Sequence, residues 1–192
     1  MPLIRSIKPV TPVVALLYGR ESHYDVLRGK LSELFGPIEL ESPIYPFTFT
    51  NYYENAMGGH LWRRFLLFEW ESNPETLADW KRSTNDLEEQ LAHELQGEVQ
   101  RPVNIDPGYI TSGKLVLAST KDFAHRIYLR DGIFAEVTLH FQDGEWRSHA
   151  FTFPDFKSAL YHEFLKQARE VLLKKSRAGQ QVDDCGEMAM DV

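Results

Sequence analysis

Two Asp-Gly dipeptides, Asp131-Gly132 and Asp143-Gly144, fix more of this chain than any other feature. Asp-Gly between β-rich segments selects a two-residue type I′ turn, because both central positions need positive φ and the turn's twist matches that of the paired strands. Residues 126–129, 134–141 and 146–153 are therefore predicted to form a three-stranded antiparallel meander. Two-residue loops also set the register, pairing Arg130 with Ile133 and Gln142 with Glu145. Counting back places His125 opposite Thr138 and Thr138 opposite His149, with Glu136 diagonal to both histidines and His140 opposite Arg147 on the same face. Ala135, Val137, Leu139, Phe141, Trp146 and Ala150 fall on the other face, which should cover the core. A single bulge would flip the faces beyond it and scatter the polar row.

Upstream, residues 12–18 (PVVALLY) form an apolar run closed by Gly19, the pattern of a central strand buried on both faces. Ser22 and Asp25 open a helix in which Tyr24, Leu27, Leu31, Leu34 and Phe35 recur at helical spacing and Gly36-Pro37 is the stop. Residues 38–46 contain two prolines, which suits an edge strand or an extended segment. Residues 47–60 (FTFTNYYENAMGGH) read as a shaped loop, and residues 65–70 (FLLFEW) as a second buried strand. Asn73-Pro74 begins a long helix with Leu77, Trp80, Leu87, Leu91 and Leu95 as its apolar stripe and Gly97 as its stop.

Residues 102–105 (PVNI) supply a further strand. Strand, helix, strand, strand, helix, strand is the order of a ferredoxin-like, split βαβ core, here extended by the meander. A final helix begins at Asp155 or Ser158, with Leu160, Phe164, Ala168 and Val171 facing inward. Residues 114–120 (KLVLAST) are too short for periodicity to separate strand from helix. Residues 1–175 thus read as one α+β domain and residues 176–192 as a disordered polar tail.

Composition narrows function by exclusion. A formal charge of -7 disfavours nucleic acid and anionic membrane surfaces as partners. The lone Cys185 supports neither a disulfide framework nor a cysteine-based zinc site, and points to a reducing, cytoplasmic compartment. No run of about 18 apolar residues and no signal-peptide core follow Arg5 and Lys8, so no membrane partner is expected. The glycine-lysine phosphate loop, the dinucleotide fingerprint, the nucleophile elbow and the helical zinc motif are all missing, so NTPase, Rossmann dehydrogenase and α/β-hydrolase readings lose their support and the cofactor stays unknown.

The titratable residues that remain gather near the meander. His125 beside Glu136 could exchange protons, and with His149 the pair could also hold a divalent metal. A solvated polar sheet face would look the same. Lys121, His125 and Arg126 form the one compact basic cluster, suited to a phosphate or other anion. Arg126, however, is expected toward the apolar face, paired with Asp106 or Asp131. Asp106-Pro107-Gly108-Tyr109 reads as a turn, and of the adjacent Arg63 and Arg64 only one can join a site.

Residues 104–139 (NIDPGYITSGKLVLASTKDFAHRIYLRDGIFAEVTL), the segment PFTFTNYY at 46–53 and Arg63-Arg64-Phe65 resemble the signature of a bacterial and archaeal family, domain of unknown function 4416. The resemblance covers most of residues 8–175. It implies a shared fold and a shared site at Asp106, Pro107, Gly108, Tyr109, Lys121, Asp122, His125, Arg126, Asp131 and Glu136, but no substrate. His149 lies outside the motif, which favours acid/base or anion-binding roles over a metal.

Two readings follow. In one, Lys121 and Arg126 hold an anionic small ligand, His125 and Glu136 are catalytic, and Asp106, Tyr109 and Tyr52 complete the site beneath the loop at 48–54. In the other, Phe47, Phe49, Tyr52 and Tyr53 anchor a protein partner and there is no catalysis.

Overall fold

The structure, a computed structural model, describes residues 3, 6–95 and 99–187. It is a mixed α/β architecture built on one large antiparallel sheet. β1 (Thr11–Tyr18) is buried at all eight positions. It runs between β4 (Leu61–Phe68) and β5 (Val103–Ile110), as the unbroken apolar run at its centre requires. Two short strands, β2 (Ile38–Glu41) and β3 (Tyr45–Phe47), follow one another along the outer edge of β4, separated at Pro43. Residues 38–46 thus form the proline-marked edge that the sequence indicated.

On the other side, β5 pairs with β6 (Lys114–Ser119), the segment whose periodicity was ambiguous. β6 pairs with β8 (Ile133–Gln142), and β8 is flanked by β7 (Ile127–Arg130) and β9 (Glu145–Ser148). The strand order is β2-β4-β1-β5-β6-β8-β7, with β3 on β4 and β9 on β8. Both Asp-Gly turns have the I′ signature, with φ of 53° and 75° at Asp131-Gly132 and 52° and 80° at Asp143-Gly144.

α1 (Glu21–Phe35) and α3 (Leu77–Glu94) cover one face of the sheet. Tyr24, Leu27, Leu31 and Phe35 meet Leu77, Trp80, Leu87 and Leu91 over Val14, Leu16, Leu66 and Ile105. The Gly97 stop expected for α3 lies outside the described residues. α4 (Ala159–Glu187) covers the other face, where Tyr161, Phe164, Leu165 and Ala168 pack on Phe65, Leu67, Leu115, Leu139 and Trp146. Leu160 was expected inward and is instead exposed, Tyr161 taking its place. α4 extends to Glu187. Residues 188–192 lie outside the described residues. Among the described residues no helix is long and apolar enough to cross a membrane.

Three departures from the predicted register shape the site. First, Asp106-Pro107-Gly108-Tyr109 is not a turn but the middle of β5. The β5–β6 ladder begins only at Gly108, paired with Leu117, so β5 residues before it face no strand on that side. The Ile105 N–H donates to Glu88 Oε1 at 2.7 Å and the Ile105 carbonyl accepts from Lys81 Nζ at 2.7 Å, so two α3 side chains replace the missing strand. Pro107, two residues on, points the same way and has no N–H to satisfy. Second, β7 slips by one residue between Tyr128 and Arg130, so His125 lies in a loop ahead of β7 and does not pair with Thr138. Third, β8 bulges opposite Leu115 and Val116, which puts Glu136 and Leu139 on the α4 side and leaves Val137 exposed.

Gly108 sits where the two strands make contact. A Cβ there would come within 2.2 Å of the Val116 carbonyl oxygen and 2.6 Å of Leu117. Gly108→Ala is expected to cost about 1–3 kcal/mol by forcing β6 outward, read as a lower urea midpoint with unchanged slope.

Candidate functional site

Beyond Gly108 the two strands part, and the gap opens on the α4 side into a cavity of about 520 Å³. Asn104 and Asp106 of β5 and Leu117 and Ser119 of β6 form its sides, with Glu136 and Thr138 from β8. Phe49, Tyr52 and Tyr53 roof it from the loop that follows β3, and Pro154, Asp155 and Phe156 close it from a 3-10 turn (Pro154–Lys157) just before α4. The loop expected over residues 47–60 gives up Phe47 to β3 and contains the one-turn helix α2 (Glu54–Met57), and β4 starts at Leu61, ahead of the expected residue 65.

Arg63 lies at the base of the cavity with its side chain 3% exposed. Its Nη2 donates to Asp155 Oδ2 at 2.9 Å, its Nη1 stands 3.8 Å from Asp106 Oδ2, and its guanidinium lies over Phe47, Phe65 and Phe156. A guanidinium so desolvated persists only if paired, and the two carboxylates keep it charged. Burial pushes the Asp155 carboxyl up, with Arg63 and the Phe156 N–H pulling against it. The hydroxyls of Tyr53 and Tyr161, which also flank Arg63, are pushed up to about 12 by burial. Arg63 Nε and Nη1 have no hydrogen-bond partner among the described residues. Arg64 takes the opposite face and pairs with Glu21 and Glu41, so one of the two arginines joins the site, as strand alternation requires.

Glu136 is equally enclosed. Its Oε2 is 3.2 Å from His125 Nε2 and accepts from Arg126 Nε at 2.9 Å, while Oε1 has no hydrogen-bond partner among the described residues. Arg126 also donates to Ser119 Oγ at 2.7 Å and to the Lys121 carbonyl at 3.0 Å, tying the loop before β7 to the cavity wall. Arg126 therefore lines the cavity, contrary to the expectation that it would face the apolar side, and its partner is Glu136; Asp131 pairs with Arg82. At the rim Lys121 Nζ donates to the Tyr52 hydroxyl at 3.0 Å, and this bond draws the Tyr52 phenol below its ordinary value.

Of the residues singled out in the sequence, Asp106, Lys121, Arg126, Glu136 and Tyr52 line one cavity. His125 stands behind Glu136, stacked on Phe151, and reaches the cavity through the carboxylate. Tyr109 belongs elsewhere, packed against the core under α1 and α3. His149 leaves the predicted trio; its Nε2 lies 3.3 Å from His140 Nδ1 and its ring stacks on Phe151. Burial lowers the His149 pKa, and the neighbouring His140 lowers it further. No cluster of three metal-ligating side chains occurs among the described residues.

Sequence reasoning missed Lys81 and Arg101 as lining residues and took Asp155 only as a helix cap. The cap is Ser158, whose Oγ accepts from the Leu160 N–H at 3.3 Å. A signal for Lys81 was present: Leu77, Lys81, Thr84, Glu88 and Leu91 recur at helical spacing, and all five are buried. Polar residues that interrupt an apolar stripe must meet partners inside.

A family model described as Domain of unknown function (DUF4416) matches residues 8–171. No curated protein and no solved structure matches.

Arg63→Met is expected to destabilise the fold by about 3–5 kcal/mol, because Asp155 is left buried and unpaired. Adding Asp155→Leu should restore part of the loss, and a double-mutant cycle in urea measures the coupling. His23, also lowered by burial, and His149 bind protons more readily in the unfolded chain. Their effect on stability is absent above the ordinary histidine value of about 6.5, and stability falls as pH drops below it. Urea midpoints at neutral and mildly acidic pH read this directly, and His140→Ala should raise the His149 midpoint in an NMR titration.

Proposed function

The chain belongs to the DUF4416 family, and from that premise we propose that it binds a small anionic ligand in the cavity where β5 and β6 part. One observation carries the reading: among the described residues Nε and Nη1 of the buried Arg63 lack a hydrogen-bond partner, Nη1 having only the longer ion pair with Asp106, in a cavity of ligand size that is also lined by Lys121 and Arg126. Unsatisfied donors at that depth are costly unless water or a ligand takes them.

The His125–Glu136 pair supports a catalytic role, with the carboxylate receiving a proton from the ligand and the imidazole behind it holding the second oxygen. The alternative, a protein interface anchored by the aromatic loop, is weakened because Phe47 is buried and Tyr53 half-buried against the cavity, which leaves Phe49 and Tyr52 as its exposed rings, and Phe49 also lines the cavity. A ferredoxin-like core is the fold reading that goes with this site. It is supported by the antiparallel order β2-β4-β1-β5 and by α1 and α3 sharing one face. The lone cysteine supports a cytoplasmic location.

A thermal-shift screen of anionic metabolites tests the proposal. A ligand at a hundred times its Kd stabilises by about 2.7 kcal/mol, which in a domain of this size raises Tm by about 5–10 °C. That shift should vanish in Lys121→Gln. If no anion stabilises the protein while a partner protein crosslinks through Tyr52, the interface reading replaces it.

A further inference from the structure

If the cavity is a ligand site, as proposed above, its pattern of charge sets the class of molecule it takes. The lining holds five cations, Arg63, Lys81, Arg101, Lys121 and Arg126, and three carboxylates, Asp106, Glu136 and Asp155. Four of the cations are matched: Arg63 by Asp155, Lys81 by Asp106, Arg126 by Glu136, and Arg101 by Glu88 behind the wall. Among the described residues Lys121 is the lining cation without a carboxylate partner; its Nζ holds the Tyr52 hydroxyl and lies 4.4 Å from the centre of that ring. One positive charge is therefore unmatched, and it stands at the rim.

The wall makes the opposite demand. His125 and Arg126 both occupy Oε2 of Glu136 and leave Oε1 open, in a side chain 4% exposed. Thr138 Oγ1, fully buried nearby on β8, has no partner among the described residues either. A carboxylate oxygen in this state calls for a hydrogen-bond donor, and the hydroxyl, which can also accept, can share it. Phe49, Tyr53, Phe123 and Phe153 supply flat apolar surface around the same cavity.

We propose that the ligand is a ring-bearing molecule with a single negative charge, held at Lys121 and Tyr52, and with an amine or amide donor, held at Glu136 Oε1 and Thr138 Oγ1. A polyphosphate does not fit this balance. Its further charges would face three carboxylates whose cations are already matched in charge, in a desolvated site where repulsion is poorly screened; the open Nε and Nη1 of Arg63, beside Asp106 and Asp155, suit an uncharged oxygen acceptor of the same ligand.

The test follows backbone amide shifts by NMR while the protein is titrated with 4-aminobenzoate, benzoate or pyrophosphate. 4-Aminobenzoate should move the amides of Lys121, Glu136 and Thr138 and bind about tenfold more tightly than benzoate, the size of one hydrogen bond to a charged group. Pyrophosphate should bind more weakly than either. Glu136→Gln should erase the advantage of the amine and improve pyrophosphate binding, because it removes one negative charge from the wall. Lys121→Gln, at an exposed position that leaves the fold intact, should weaken both carboxylates.

Pyrophosphate binding as tightly as 4-aminobenzoate would overturn the ligand class while leaving the cavity a ligand site. Equal affinity for benzoate and 4-aminobenzoate would remove the role given to Glu136. If none of the three moves the cavity amides, both the class and the ligand-site reading fall.

Discussion

A backbone that leaves its sheet partner must find other hydrogen bonds, and the way this protein meets that demand at Ile105 organises everything around it. β6 abandons β5 at Gly108, and α3 fills the vacant ladder position with Lys81 and Glu88. Because those two side chains are buried and charged, they need partners in turn, found in Asp106 and Arg101. The split that creates the cavity is therefore also what lines it with ions. Arg63 extends the pattern across β1, where the small Ala15 stands beside Asp106 in the ladder. The cavity is an opening held apart by polar side chains, and filling it with apolar ones would leave backbone groups stranded.

Much of this architecture was legible in the sequence wherever a local rule admitted one answer. The Asp-Gly turns forced I′ geometry and fixed the first pair of each hairpin, and the apolar run at 12–18 could only be a central strand. Legibility ended where a rule has exceptions that only tertiary structure decides. Asp106-Pro107-Gly108 carries turn residues, yet proline is tolerated in a strand whose N–H side faces no neighbour, and glycine is needed where two backbones press together. The bulge in β8 and the slip in β7 leave no mark in residue type, so the predicted His125–Thr138–His149 row does not form. Glu136 and His125 still meet, because the loop before β7 folds back over the wall.

The site residues divide in the same way. Those in turns and loops with distinctive chemistry, such as Lys121 and Tyr52, could be picked out because exposed polar and aromatic residues in a shaped loop invite the question of purpose. Lys81 was hidden inside a helix whose amphipathic stripe seemed complete without it, and Asp155 behind a plausible capping role. Both are the second members of pairs whose first members were visible. Charge inside a protein comes in partnerships, so each buried ion in a sequence is also a search instruction for its counter-ion.

β1 has a further consequence for how the chain reaches this state. It precedes the other strands of its sheet, it is buried along its whole length, and Thr11 and Leu16 pair with Ile110 and Ile105, 99 and 89 residues further on. Its other neighbour, β4, lies closer in sequence but covers only one of its edges. During synthesis β1 therefore emerges as a sticky segment, one edge of which stays open until β5 has left the ribosome. Non-local pairing of this kind slows folding and leaves apolar surface exposed in the meantime, with α1, the first helix to follow, the earliest shield available to one of its faces.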